Sequence, residues 1–194
     1  MLILHLVIAV VIALFLIIRL RLSPLFGLVL GALYYGIAAG VGARQTAALI
    51  AQGFGNTMTG IGLTVAFGVI IGDLVAASGG VQRIVRTVLS WFSPRRVPEA
   101  LLATSLAVSI PVFFDVGFVI LAPIARRLGK AIKKAFPFVL GPLVIGLGTA
   151  HMMIPPTPGP LVVADTLGVP LSTMIAMGLL VGIPSAILAL VVYI

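Results

Sequence analysis

The sequence predicts an all-α membrane protein, and three observations predict it. Apolar residues fill 61% of the 194 positions and charged residues only 8%, against about 25% charged in ordinary soluble domains. Mean hydropathy is +1.33. From Ala135 to Ile194 there is no Lys, Arg or Glu at all. So little polar surface leaves no separate soluble domain, and the length holds roughly five or six membrane segments of about 20 residues. The chain reads as one membrane domain, 1–194, with scaffold-like helices over 2–56 and a second region over 57–194.

Leu2 to Ile18 and Leu22 to Val41 form the first two spans, joined by a tight turn, Arg19-Leu20-Arg21-Leu22-Ser23-Pro24, whose proline suits a helix start. The first run lacks a basic leader and a small-residue cleavage site, so it reads as a retained helix rather than a signal peptide. Arg44 to Asn56 is less apolar and is expected near an interface. A third span runs from about Thr57 to Ala77 and stops at Ser78-Gly79-Gly80; Val81 to Phe92, with Arg83 and Arg86, reads as interfacial.

The stretch from Ala100 to Ala125 poses a topological problem. Arg83, Arg86, Arg95 and Arg96 precede it, and Arg126, Arg127, Lys130, Lys133 and Lys134 follow it. A simple crossing would split these basic residues between the two sides, against the positive-inside bias. A re-entrant helical hairpin over 99–125, with Ser109-Ile110-Pro111 at its tip, keeps them together. Arms of about 12 residues reach roughly 18 Å, just past the midplane of a ~30 Å core. With Arg19 and Arg21 added, all basic residues except Arg44 then lie on the cytoplasmic side.

Phe136 to Gly168 reads as one broken helix. Pro155, Pro156, Pro158 and Pro160 cannot sit inside a regular spanning helix, because each lacks a backbone donor and clashes one turn back. Backbone left unpaired at membrane depth survives only where protein or an aqueous cavity satisfies it. Gly168 is the expected helix stop, and Ser172 begins the last span. The total is five crossings plus one hairpin, with the N-terminus outside and the C-terminus cytoplasmic. An odd number means that a following copy of the unit would insert upside down, which is how inverted-repeat transporters are built.

Composition also narrows the chemistry. The net charge of +8 comes from residues between apolar runs, so it signals topology rather than nucleic-acid binding. Cysteine is absent, which removes thiol catalysis and Cys-based metal sites. No His-Glu-x-x-His pair or Gly-x-Ser-x-Gly elbow occurs, and Ser109 with His151 is the only conceivable hydrolytic dyad. The chain is not expected to be an enzyme and is expected to need neither metal nor organic cofactor.

Asp115, within a turn of the hairpin tip, is a carboxylate placed inside a membrane, where ionisable groups are costly and usually functional. Its alternative role is to cap the returning half-helix. His151, one turn before the proline break, belongs to the residue type that titrates nearest neutrality; its alternative is a structural histidine bonded to a backbone carbonyl. Thr157 before Pro158 fits an N-cap followed by proline at the first helical position. Both breaks are expected to offer a half-helix N-terminus to an anion, with Ser109, Thr149 and Thr157 supplying hydroxyls and Gly159 permitting close approach. The ligand so predicted is a small hydroxylated carboxylate. Asp73 and Asp165 read as interfacial, and Gly53, Gly55, Gly60, Gly62, Gly68 and Gly72 as helix-packing residues rather than phosphate loops.

Three motifs carry a resemblance. Ile110-Pro111-Val112-Phe113-Phe114-Asp115-Val116-Gly117-Phe118, His151-Met152-Met153-Ile154-Pro155-Pro156-Thr157-Pro158-Gly159-Pro160 and Gly72-Asp73-Leu74-Val75-Ala76-Ala77-Ser78-Gly79-Gly80 closely resemble the gluconate permease family of proton symporters. The likeness spans nearly the whole chain but only the N-terminal half of the longer family members. It implies an ion-transporter superfamily fold, with a cytoplasmic hairpin and an unwound helix in each of two inverted halves that move as an elevator.

The combined expectation is secondary transport of gluconate or a related sugar acid by proton symport across the inner membrane. Ser109, Pro111, Phe114, Asp115, Thr149, His151, Thr157, Pro158 and Gly159 would contact substrate, with Asp115 and His151 carrying the proton. The rival expectation is a half-transporter or membrane subunit that needs a second half. Membrane lipid, that second half and a homo-oligomer of the complete unit are the expected partners.

Overall fold

A computed structural model describes residues 1–194, which form helices and turns without strands. The chain divides into two compact units, Met1–Gly60 and Ile61–Ile194.

The first unit holds α1 (Leu2–Ile18), α2 (Pro24–Ala38) and α3 (Ala43–Thr57). Pro24 opens α2 as expected, but the helix is shorter than the anticipated span of 22–41. Gly40 and Gly42, both at φ +83, turn the backbone out of the helical region and end it early. α1 and α2 meet where Gly31 lies against the Ala9 carbonyl, so near that a Cβ there would stand 2.9 Å from the oxygen. Apolar transfer between lipid and protein gains little in a membrane, so such backbone approach is what holds two helices together.

The third span does not begin with a new helix at Thr57. α3 continues through a π-helical segment, Met58–Gly62, into α4 (Leu63–Ala77), and the helix is unbroken from Ala43 to Ala77. The glycines weaken this stretch, but it lacks proline. The hydroxyls of Thr57 and Thr59 donate to the carbonyls of Gly53 and Gly55, four residues back, bonds that distort a helix without stopping it. α4 ends where predicted, at Ser78, with Gly79 at φ +77.

The second unit continues with α5 (Gly80–Ser90), α6 (Val97–Ser109), α7 (Phe114–Ala131), α8 (Phe136–Met153), α9 (Pro158–Leu167) and α10 (Leu171–Tyr193). α5 buries Val81, Val85 and Val88 on one face and exposes Arg83 and Arg86 on the other, as an interfacial helix should. α8 is central, packing against α6, α7 and α10. Val139, Leu143 and Leu147, spaced four apart, are fully buried beside Leu101, Val108, Leu121 and Ala125. Tyr193 closes the far end of α10 onto α8, lying over Gly141 and donating to the Pro137 carbonyl at 2.6 Å.

Large apolar side chains cover the outside of the molecule, including most of α1, α2 and α10. The helical stretches Ala43–Ala77, Phe136–Leu167 and Leu171–Tyr193 are long and apolar enough to cross a membrane. An exterior this apolar is incompatible with water and suits lipid; the chain is a multi-pass membrane protein.

Candidate functional site

The hairpin tip forms because α6 and α7 are separated only by Ile110, Pro111, Val112 and Phe113. Phe113 occupies the N-cap position of α7 and provides no side-chain cap. The first bond of the helix runs from the Gly117 N–H to the Phe113 carbonyl at 2.9 Å, leaving the N–H groups of Phe114, Asp115 and Val116 ahead of it without helical acceptors. Asp115 is in the first turn and exposed. It favours the helix dipole from there but is not the N-cap. Ser109 faces away from this opening: it is 1% exposed and donates to the Leu147 carbonyl at 3.1 Å.

The second break also follows from local chemistry. Ile154 takes extended angles, φ −117 and ψ 120, as a residue before proline should, and α8 ends there. The Pro155–Pro156 bond is cis. Prolines at 155 and 158 remove the N–H groups that the carbonyls of His151 and Ile154 would otherwise accept. Thr157 supplies the replacement: its hydroxyl lies 2.7 Å from the His151 carbonyl and 2.9 Å from that of Ile154. The expected capping role is thereby corrected. Thr157 sits at the N-cap position of α9 but makes no side-chain cap, because carbonyls stranded by proline claim its hydrogen.

α9 correspondingly offers less to an anion than the sequence suggests. Pro158 and Pro160 have no N–H, and that of Leu161 bonds to the Thr157 carbonyl at 3.3 Å. Gly159 alone keeps a free donor in the first turn, exposed and with nothing within 4 Å of the place a Cβ would occupy. The far end behaves as predicted: Gly168 at φ +63 closes α9, and the Val169 N–H bonds to the Ala164 carbonyl at 2.9 Å.

The two breaks meet at His151. Its ring centroid lies 5.9 Å from Phe113 and 6.3 Å from Phe114, edge-on to both. Phe114 in turn stacks on Phe118. The imidazole Nδ1 is buried and has no hydrogen-bond partner within the chain, so the carbonyl bond that marks a purely structural histidine is missing at that nitrogen. α4 lies along the same two breaks: Gly72 touches the Pro111 carbonyl, and a Cβ at Gly68, one turn earlier, would stand 3.1 Å from the Pro156 ring.

A family profile for GntP family permeases matches residues 1–194. The chain belongs to the GntP permease family. It is 34% identical over 179 residues to a gluconate permease of Pseudomonas aeruginosa, covering 90% of this chain and 39% of that protein. It is 32% identical over 189 residues to a gluconate permease of Zymomonas mobilis, with 97% and 42% covered. The Gnt-II system L-idonate transporter of Escherichia coli is 33% identical over 180 residues, with 93% and 41% covered. The chain thus spans about two fifths of the length of these relatives. No solved structure matches it.

Within this GntP family chain, the structure brings Phe114 of the tip and Thr157 of the break to His151, while Pro111 meets Gly72 and Asp115 is exposed in the first turn of α7. Pro158 and Gly159 lie just beyond Thr157, exposed at the start of α9. Thr149 is turned elsewhere, its methyl toward Gly182 of α10. Ser109 is occupied by Leu147, so it does not form a dyad with His151. Phe113, which the sequence offered only as part of a motif, proves to be a direct neighbour of His151. The four-residue spacing of Gly68 and Gly72 was the available signal for the α4 contact with both breaks.

Proposed function

We propose that this chain supplies one half of a secondary transporter for gluconate or a related sugar acid, driven by proton symport across the inner membrane. The observation that carries the reading is the convergence of two helix breaks on His151 in a chain of the GntP family, whose relatives include gluconate permeases and an L-idonate transporter. A sugar-acid carboxylate suits the N–H groups at the start of α7, and its hydroxyls suit the Gly159 N–H, while the buried Nδ1 of His151 stays without a partner in the chain. Asp115 stands beside those same N–H groups. Two negative charges at one site repel, so the substrate anion enters together with a proton on Asp115, with His151 as the second proton carrier.

In this reading α1, α2, the helix 43–77, α8 with α9, and α10 make five crossings, and α6 with α7 is the re-entrant hairpin. The N-terminus is outside and the C-terminus cytoplasmic. The reading includes a second half that completes the site and a homo-oligomer of the complete unit. The coverage of about two fifths of the relatives favours a chain that does not transport alone.

The test is reconstitution in vesicles under a pH gradient. The expected result is gluconate accumulation when the chain is combined with the C-terminal part of a GntP relative, and none with the chain alone. Accumulation that survives collapse of the gradient would reject proton symport. Uptake by the chain alone would reject the need for a second half.

A further inference from the structure

The last turns of α7 carry Arg126, Arg127 and Lys130, which share a groove of about 440 Å³ with Val119, Ala122 and Pro123. The two sets are segregated along the helix, apolar toward the hairpin tip and cationic toward the helix end. No acidic residue lines the groove. All three cations are exposed, and the Arg126 guanidinium is held 4.6 Å from the centre of the Phe136 ring, a cation–π contact that fixes its position. Val119 is 71% exposed. Pro123 lacks the N–H that the Val119 carbonyl would accept in a regular helix. Val119 to Lys130 spans roughly 16 Å at 1.5 Å per residue, enough for a headgroup and the upper part of one acyl chain.

We infer that this groove holds an anionic phospholipid of the surrounding bilayer. Its phosphate lies among Arg126, Arg127 and Lys130, and an acyl chain lies along Val119, Ala122 and Pro123. A free phosphate would leave the apolar half without a role, and a protein segment would not call for three cations without a counter-charge. Basic side chains at a membrane surface attract anionic lipid headgroups, and the exposed apolar half makes this one a seat rather than a diffuse attraction.

The test is native mass spectrometry of the full chain in detergent, titrated separately with phosphatidylglycerol and phosphatidylcholine. Retention of phosphatidylglycerol should be selective. It should fall about a hundredfold in the R126Q/R127Q/K130Q variant, at about 1 kcal/mol for each cation removed. The equal-charge control R83Q/R86Q/R95Q, altered elsewhere on the surface, should retain it. Ala122→Phe fills the apolar half with the cations in place and should also lower retention. Equal retention of the two lipids, an equal loss in the control, or competition by inorganic phosphate as effective as by phosphatidylglycerol would each overturn the assignment.

Discussion

The hairpin tip and the proline break interrupt helices in the same unit and meet at one histidine, yet they leave opposite chemistry behind. The tip keeps its polar backbone: the N–H groups of Phe114, Asp115 and Val116 precede the first helical bond, and nothing caps them. The break uses up its own. Its prolines delete donors as they stop the helix, and Thr157 covers two of the carbonyls they strand. A helix broken by proline therefore keeps fewer free backbone donors than one broken by a turn. The tip supplies donors and charge, while the break supplies a fixed wall and the imidazole.

The largest effect expected from this contrast concerns Asp115. In the chain combined with the C-terminal part of a GntP relative, Asp115→Asn should reduce the proposed pH-driven gluconate uptake by about a hundredfold, the scale of losing a positioned proton carrier, while membrane insertion is unchanged. Undiminished uptake would remove the carboxylate from the coupling step.

The packing of α4 separates the two breaks next. At Gly72 a Cβ would press on the Pro111 carbonyl, which belongs to the backbone and yields little, whereas at Gly68 it meets the Pro156 ring. Gly72→Ala should cost about 3 kcal/mol and Gly68→Ala about half of that, at the scale of overpacked interiors. Thermal unfolding in detergent reads the difference, and equal losses would show that the two contacts are equivalent.

Thr157→Val should cost about 2 kcal/mol because it leaves buried carbonyls without a donor, and Thr157→Ser should restore most of the stability. A fully stable valine variant would mean that the break does not depend on its own hydroxyl. Ser109→Ala should have the smallest effect, about 1 kcal/mol for a single hydrogen bond, with no change in uptake. Loss of uptake at constant stability would place Ser109 in contact with substrate after all.

Much of this was legible in the sequence because proline and glycine act locally. Pro155, Pro156 and Pro158 fix the end of α8 and the start of α9 wherever the rest of the chain lies. Gly168 closes α9 and Gly79 follows the end of α4 for the same reason. What escaped the sequence depended on competition between partners. The stretch around Thr57 reads as the start of a span until its hydroxyls are seen bonding back along a continuous helix. Thr157 reads as a cap until the proline-stranded carbonyls are counted as rivals for its hydrogen. The direction of Thr149 is set by Gly182, more than thirty residues downstream.

Thr157 has one hydroxyl hydrogen and two carbonyls within reach, at 2.7 and 2.9 Å. A hydroxyl donates fully to one acceptor at a time. The arrangement is thus a two-position toggle: when the hydrogen points to the His151 carbonyl, that of Ile154 is short of a donor, and the reverse. The turn between α8 and α9 has two hydrogen-bonded forms that differ only in the direction of one O–H bond.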